Sequence, residues 1–168
     1  IKHFYIDLRD EDFKISFALF HQRFSTNTLP QWRLAQPFRA IAHNGEINSV
    51  EANRFNVEIK SEQVKSEIFT EEEIKRILPI LQNVGSDSTS LDNMFEFLLA
   101  NGVDFFKAAR SLVPAPWQNA PHMDSNLRAF YEYTATAMEA WDGPAAVSLT
   151  DGRHIGCLID RNGLRPSK

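Results

Sequence analysis

Hydrophobic and polar positions divide the chain into three parts with different periods. Residues 13–20 and 38–42 are short apolar runs that predict buried strands, and each run leads into polar, turn-forming residues. In the middle of the chain, apolar residues recur every three or four positions, which predicts core-facing helices. Residues 145–150 and 153–159 flank an Asp-Gly pair, a strong hairpin signal. This order predicts an α+β domain in which an antiparallel sheet is backed by helices.

Start and stop signals bound the predicted helices. Thr70 and Glu73 match a capping box, and Pro79 should kink or shorten the helix that they open. The next helix carries core-facing residues at helical spacing: Leu91, Met94, Phe95, Leu98 and Leu99. Two more helices are predicted over residues 105–113 and after Asp124.

Composition limits the class of protein. The 168 residues suit one domain, with 43% apolar and 24% charged residues. No apolar run approaches the roughly 20 residues that span a bilayer, and no basic stripe accompanies the net charge of −4. We therefore expect neither a membrane nor a nucleic acid as partner. The charged residues 56–69 lack a sustained period, and we expect an irregular segment there.

The cysteine and histidine content bears on redox compartment and metals. Cys157 lies in the predicted strand over residues 153–159, so we expect a buried, structural thiol. One cysteine excludes an internal disulfide and suits a reducing, cytoplasmic location. The five histidines show no metal-ligand spacing, so no metal site is assigned.

Polar residues after the first two predicted strands are candidates for binding an anion. Arg23 can grip a carboxylate with its two-pronged guanidinium, with the hydroxyl of Thr26 nearby; an ordinary salt-bridged strand end is the alternative. The side-chain amide of Asn44 and the N–H of Gly45 can point at one oxygen, as an oxyanion requires. The alternative for this pair is a tight hairpin turn.

Two further polar clusters lie next to predicted elements. The carboxylate of Asp87 could bind a substrate ammonium, whereas the alternative is that Asp87 or Ser88 caps the helix that follows. Residues 160–166 form a polar segment after the last predicted strand, and the pattern indicates only a turn.

Six segments in order resemble the class II, N-terminal nucleophile, glutamine amidotransferases, and the similarity is greatest to the amidotransferase domain of the glutamate synthase large subunit. They are residues 21–28, 43–48, 86–91, 114–117, 138–144 and 160–166. The run Arg23-Phe24-Ser25 is typical of glutamate synthases, since other class II amidotransferases usually carry Trp or Tyr after the Arg.

The resemblance implies a fold and a role for each candidate. The fold would be an Ntn-hydrolase-like αββα sandwich with antiparallel sheets, here as one partial glutaminase domain over residues 1–168. Three residues would hold the α-carboxylate of L-glutamine: Arg23, Thr26 and Asn27. Asn44 and Gly45 would form the oxyanion hole, and Asp87 would hold the α-ammonium.

The family's N-terminal cysteine and first strand are not matched, because residue 1 is Ile. We therefore expect the isolated chain to lack glutaminase activity. Residues 51–54 also depart from the family pattern, in which a Gly-containing version is common. FMN, an iron–sulfur cluster, synthase domains and a small reductase subunit are implied for a full-length parent, and no cofactor for this segment.

Two other functions stay open at this point. One is a non-catalytic module, related to this domain, that binds glutamine or supports assembly. The other is a different class II amidotransferase. A cysteine just after the initiator Met or a short propeptide, together with a long C-terminal extension, would favour the enzyme. An open reading frame that begins near Ile1 would favour the module.

Overall fold

Five α-helices lie between the first strand and the last two strands of one antiparallel sheet in the computed structural model, which describes residues 2–22, 29–82 and 84–167. The strands are β1 (Ile41–Gly45), β2 (Ala145–Thr150) and β3 (Ile155–Ile159). The helices are α1 (Val50–Ser61), α2 (Glu71–Ile77), α3 (Asp87–Ala100), α4 (Phe105–Leu112) and α5 (Ser125–Ala137). This content is α+β, as the sequence predicts.

The sheet has the order β1-β2-β3, so β1 and β3 are its edges. Ile41 lies opposite Leu149 and Gly45 lies opposite Ala145 across the first strand pair. Both pairs are antiparallel, and β2 and β3 form the predicted hairpin. The first strand is therefore joined to the C-terminal hairpin across about 100 residues of sequence.

Helices α3 and α4 cover one face of the sheet and form the core with it. Phe95 of α3 and Phe105 of α4 meet edge to face, with ring centroids 5.8 Å apart. Phe95 is 1% exposed and Val147 of β2 is 2% exposed. Burial of these side chains fixes the start of α3 beside the end of β1, where the candidate site lies.

Local caps explain where the helices begin. The predicted capping box of α2 is confirmed, because Thr70 and Glu73 each accept a hydrogen bond from the other's backbone N–H. α2 ends at Ile77, two residues before Pro79. At α3 the cap is Ser86, whose hydroxyl accepts from the Thr89 N–H at 3.1 Å. The prediction that Asp87 or Ser88 caps this helix is therefore wrong.

Two predicted features in the N-terminal half are wrong. Residues 13–20 form no strand, and Phe13, Ile15 and Phe20 are 49%, 62% and 71% exposed. An apolar run becomes a strand only when another strand pairs with it, and the sequence of the run does not reveal whether such a partner exists. Asn44 and Gly45 form no turn, since they are the last residues of β1 and pair with β2.

Two further predictions need correction. Residues 56–61 belong to α1, so only residues 62–69 of the predicted irregular segment lie outside a helix. Cys157 does lie in β3, but its thiol is exposed rather than buried, because its side chain lies on the same face of the sheet as the exposed Ile155 and Ile159. The described residues form one sheet, so the second sheet of an αββα sandwich stays a prediction.

Candidate functional site

The open edge of β1 presents every second backbone group away from β2. Thr150 donates its N–H to the Ala40 carbonyl at 2.8 Å, and Glu46 donates its N–H to the Pro144 carbonyl at 3.3 Å. Because an antiparallel ladder alternates, the groups of residues 41, 43 and 45 point to the other side of the strand. That side is the edge of the sheet.

Side chains from elsewhere in the chain bind this edge. The Ile41 N–H donates to Asp92 Oδ1 at 3.0 Å, and the His43 N–H donates to Gln36 Oε1 at 2.6 Å. The N–H of Gly45 lies on the same side, two residues further along. The edge of β1 is therefore a row of backbone donors that polar side chains contact in turn.

Asp87, the first residue of α3, lies at the end of this row. Its Oδ2 accepts the Ile47 N–H at 2.8 Å, and its Oδ1 accepts the Ser88 N–H at 2.7 Å. Nε2 of His43 is 3.6 Å from Oδ1. The carboxylate is held by donors from three places in the chain, while 20% of its side chain remains exposed to solvent.

These contacts keep Asp87 ionised. Burial by itself would raise the pKa of the Asp87 carboxyl, but hydrogen bonds from His43, Ile47 and Ser88 outweigh burial. The pKa of Asp87 therefore lies below its ordinary value of 3.8. A fixed negative charge that solvent can reach suits the binding of a cation such as an ammonium group.

His43 links the edge of β1 to Asp87, and sequence reasoning gave it no role. Its side chain is 5% exposed and contacts the Asp87 carboxylate. Its carbonyl lies 3.1 Å from Nε2 of His21. Among the described residues no hydrogen-bond partner reaches Nδ1 of His43.

Asp92, one and a half turns further along α3, is a second carboxylate that the sequence did not single out. Its Oδ1 accepts the N–H groups of Ala40 at 2.9 Å and of Ile41 at 3.0 Å. It is 3% exposed. Burial raises its pKa above 3.8, and the backbone donors offset only part of that effect. Its position in the predicted helix is one that an ordinary polar surface residue could occupy, so nothing in the sequence indicated its role.

Two glycines allow the end of β1 to approach the start of β2. Gly45 has φ of +131°, and a Cβ there would lie 1.9 Å from the Pro144 carbonyl oxygen. Gly143 has φ of +152°, and a Cβ there would lie 2.1 Å from the Glu46 carbonyl oxygen. Both positions exclude any side chain, because each backbone occupies the space that the other's Cβ would need.

The structure brings two of the predicted site residues into one region. Gly45 and Asp87 share the edge of β1, through the Ile47 N–H that binds Asp87. Asn44 follows buried His43 in the strand, so its exposed side chain lies on the opposite face of the sheet. The remaining predicted residues, Arg23, Thr26 and Asn27, lie outside the described residues.

The C-terminal polar cluster forms the predicted turn. Asp160 is buried, and its two carboxylate oxygens accept the N–H groups of Asn162 at 2.9 Å and Leu164 at 3.2 Å. Arg161 pairs with Asp142, which precedes Gly143. This cluster braces the loop before β2 rather than entering the edge of β1.

Within residues 2–22, 29–82 and 84–167, no group of three His, Cys, Asp or Glu side chains could hold a metal ion. Over the same ranges, no helix is long and apolar enough to cross a membrane. The sequence contains one cysteine, which is too few for the thiolate set that usually ligates an iron–sulfur cluster.

Comparison with known proteins gives consistent matches over the whole chain. The family described as "Glutamine amidotransferases class-II" matches residues 1–168. The glutamate synthase (NADPH) large chain of Bacillus subtilis is 50% identical over 165 residues, which are 98% of this chain and 11% of the relative.

Two relatives from other lineages agree. The glutamate synthase (NADH) of Schizosaccharomyces pombe is 44% identical over 169 residues, covering 100% of this chain and 8% of the relative. The chloroplastic ferredoxin-dependent glutamate synthase of Oryza sativa is 41% identical over 168 residues, covering 98% of this chain and 10% of the relative. The chain thus spans about a tenth of the length of these relatives.

Proposed function

Because the chain belongs to the class II glutamine amidotransferases, we propose that the edge of β1 and the start of α3 bind L-glutamine for hydrolysis to glutamate and ammonia. The observation that carries this proposal is the exposed, ionised carboxylate of Asp87 at the end of a row of backbone donors. A zwitterionic amide substrate needs both kinds of group: an acceptor for its ammonium, and donors for its oxygens.

Asp87 would hold the α-ammonium of L-glutamine. Its low pKa keeps it charged at neutral pH, and its contacts with Ile47 and Ser88 fix both oxygens in place. A carboxylate has about four acceptor positions, and an ammonium donor can approach through the fraction of the side chain that is exposed. The charge-assisted bond that results is about twice as strong as a neutral one.

Gly45 and Asn44 would stabilise the tetrahedral intermediate of amide hydrolysis. By the alternation of the ladder, the N–H of Gly45 points away from β2 to the edge of β1, where a substrate oxygen can accept its hydrogen bond. Asn44 would add its amide N–H from the exposed end of the same strand. We assign the α-carboxylate to Arg23, Thr26 and Asn27 from the sequence resemblance alone.

For the whole protein we propose the glutamate synthase reaction, in which ammonia aminates 2-oxoglutarate. The relatives named glutamate synthase support this, although the chain spans about a tenth of their length. FMN, an iron–sulfur cluster and a reductase partner would belong to other parts of such a protein. With one cysteine and no metal-binding cluster among its described residues, this chain does not fit an iron–sulfur cluster.

The test is a pair of substitutions assayed in the complete open reading frame that contains this sequence. Asp87→Asn should raise the KM for L-glutamine by roughly 10–100-fold with little change in kcat, because it removes a charge-assisted bond to the substrate. Asn44→Ala should instead lower kcat by roughly 10²–10³-fold, as expected for one oxyanion donor.

Unchanged kinetic constants for both variants would contradict the assigned roles. A frame that binds L-glutamine with Asp87-dependent affinity, yet never releases ammonia, would support the non-catalytic binding module instead.

A further inference from the structure

Arg54 of α1 reaches across to the start of α3. Its Nε donates to the Ser90 hydroxyl at 2.9 Å, and its Nη2 donates to the carbonyls of Gly85 and Ser86, both at 3.1 Å. Nη1 pairs with Glu51 on the same helix at 3.1 Å. The side chain is only 16% exposed, so the guanidinium is held on nearly every side.

This position is electrostatically unfavourable for a cation. The N-terminus of a helix carries a partial positive charge, which repels a guanidinium placed beside it. The hydrogen bonds to Gly85, Ser86 and Ser90 must outweigh that repulsion. A neutral residue would avoid this repulsion. What Arg54 contributes is therefore the fixed geometry of its hydrogen bonds to these three residues.

The two carbonyls that Arg54 grips immediately precede Asp87. One nitrogen, Nη2, bridges the oxygens of Gly85 and Ser86 and so fixes the direction in which the chain enters α3. Ser86 is also the cap of α3. Any shift of this backbone would move the Asp87 carboxylate relative to the edge of β1.

Helix α1, from which Arg54 projects, is itself anchored at the other side of the site. Asn53 is 2% exposed and donates its amide to the Ala140 carbonyl at 3.1 Å. The Ser49 hydroxyl accepts the Asp142 N–H at 2.8 Å, next to the close approach at Gly143. Arg54 therefore connects α3 to a fixed frame rather than to a mobile surface.

We infer that Arg54 is a positioning residue for substrate recognition: it holds the Asp87 carboxylate where that group can contact the substrate α-ammonium. This inference rests on the proposed function, since it presumes that Asp87 binds that group.

The test compares two substrates in the complete open reading frame. L-Glutamine carries the α-ammonium, whereas 4-carbamoylbutanoate is the same molecule without its amino group. Arg54→Met should raise the KM for L-glutamine about tenfold, the effect of losing one well-placed charged contact. It should change the KM for 4-carbamoylbutanoate by less than about twofold, since that compound makes no contact that depends on Asp87.

Three further variants sharpen the result. Arg54→Lys keeps the positive charge but loses the planar, multi-donor guanidinium, and should behave like Arg54→Met. Ser90→Ala removes the acceptor of Nε, together with the long 3.4 Å hydrogen bond from the Ser90 hydroxyl to the Ser86 carbonyl, and should give a smaller rise in the same direction. Glu51→Gln is the matched control: it weakens only the exposed pair and should leave both KM values unchanged.

Equal rises in KM for both substrates in Arg54→Met and Ser90→Ala would overturn the inference, because a merely structural role disturbs the whole pocket. Full activity of Arg54→Lys would overturn it too, since charge rather than geometry would then suffice. Failure of the proposed function is separate: in that case the wild-type protein and Asp87→Asn would not differ in their preference for L-glutamine over 4-carbamoylbutanoate.

Discussion

Donors from three places converge on the carboxylate of Asp87, and together they determine how the residue responds to pH. Ile47 and Ser88 donate backbone N–H groups, and His43 lies at 3.6 Å. Asp92, five residues later, is buried more deeply and its pKa moves in the opposite direction. The two carboxylates of one helix therefore provide an internal comparison.

The pH dependence of stability should differ in sign between these two residues. The pKa of Asp87 is lower in the folded protein, so its contribution is present above pH 3.8 and is lost as the pH falls through the folded pKa. The difference in unfolding free energy between wild type and Asp87→Asn should thus shrink below pH 3.8.

For Asp92 the pKa is higher in the folded protein, so its contribution is present below pH 3.8 and is lost as the pH rises through the folded pKa. Urea unfolding of wild type, Asp87→Asn and Asp92→Asn between about pH 3 and 7 measures both trends. Parallel pH profiles for the two variants would contradict the opposite shifts.

At the residue scale, the sequence singled out Asp87 and Gly45 by residue type and by resemblance to the family, and the structure places both at the edge of β1. Their roles in binding and catalysis stay predictions. His43 and Asp92 were missed as contributors, since their partners lie about 40 to 50 residues away in the chain. No local pattern encodes such a contact.

Helix α3 is the element that organises the site, because its two carboxylates hold the two ends of β1. Asp92 accepts from the N–H groups of Ala40 and Ile41 at the start of the strand, and Asp87 accepts from Ile47 just after its end. An edge strand has one row of backbone groups that no neighbouring strand binds. Here α3 supplies some of the hydrogen-bond acceptors that a fourth strand would supply.

Removal of the Asp92 carboxylate should therefore destabilise the fold. Asp92→Ala would leave the buried N–H groups of Ala40 and Ile41 without an acceptor, at a cost of roughly 2–4 kcal/mol. Glu96→Ala, on the same helix, is the control: its pair with Arg39 is exposed and should contribute less than about 1 kcal/mol. Chemical denaturation measures both values, and an equal loss for the two would contradict the role of Asp92.

At the element scale, helices were more predictable than strands. The capping box at Thr70 and the apolar spacing of α3 are local signals, and both are confirmed. β1 pairs with β2 across about 100 residues, so nothing near Gly45 revealed that it continues a strand. Helix α1 was missed altogether, because it buries few residues, Asn53 and Val57 among them, and its periodicity is therefore weak.

On the scale of the whole molecule, one face of the sheet is packed and the other is largely open. Helices α3 and α4 cover the first face through Phe95 and Phe105. On the other face, Ile155 and Ile159 of β3 are 51% and 43% exposed. The sequence predicted the α+β class because periodicity reveals which elements exist. It did not predict which helices pack on the sheet or which face they cover, because the sequence of a strand does not reveal its packing partners.

The central claim is that the edge of β1 and the start of α3 bind L-glutamine. It is tested most directly by a crystal structure of the complete open reading frame with L-glutamate, the product of hydrolysis. The α-ammonium should lie about 3 Å from the Asp87 carboxylate, and a side-chain oxygen should accept from the Gly45 N–H. L-Glutamate bound elsewhere, with Asp87 and Gly45 uncontacted, would contradict the claim.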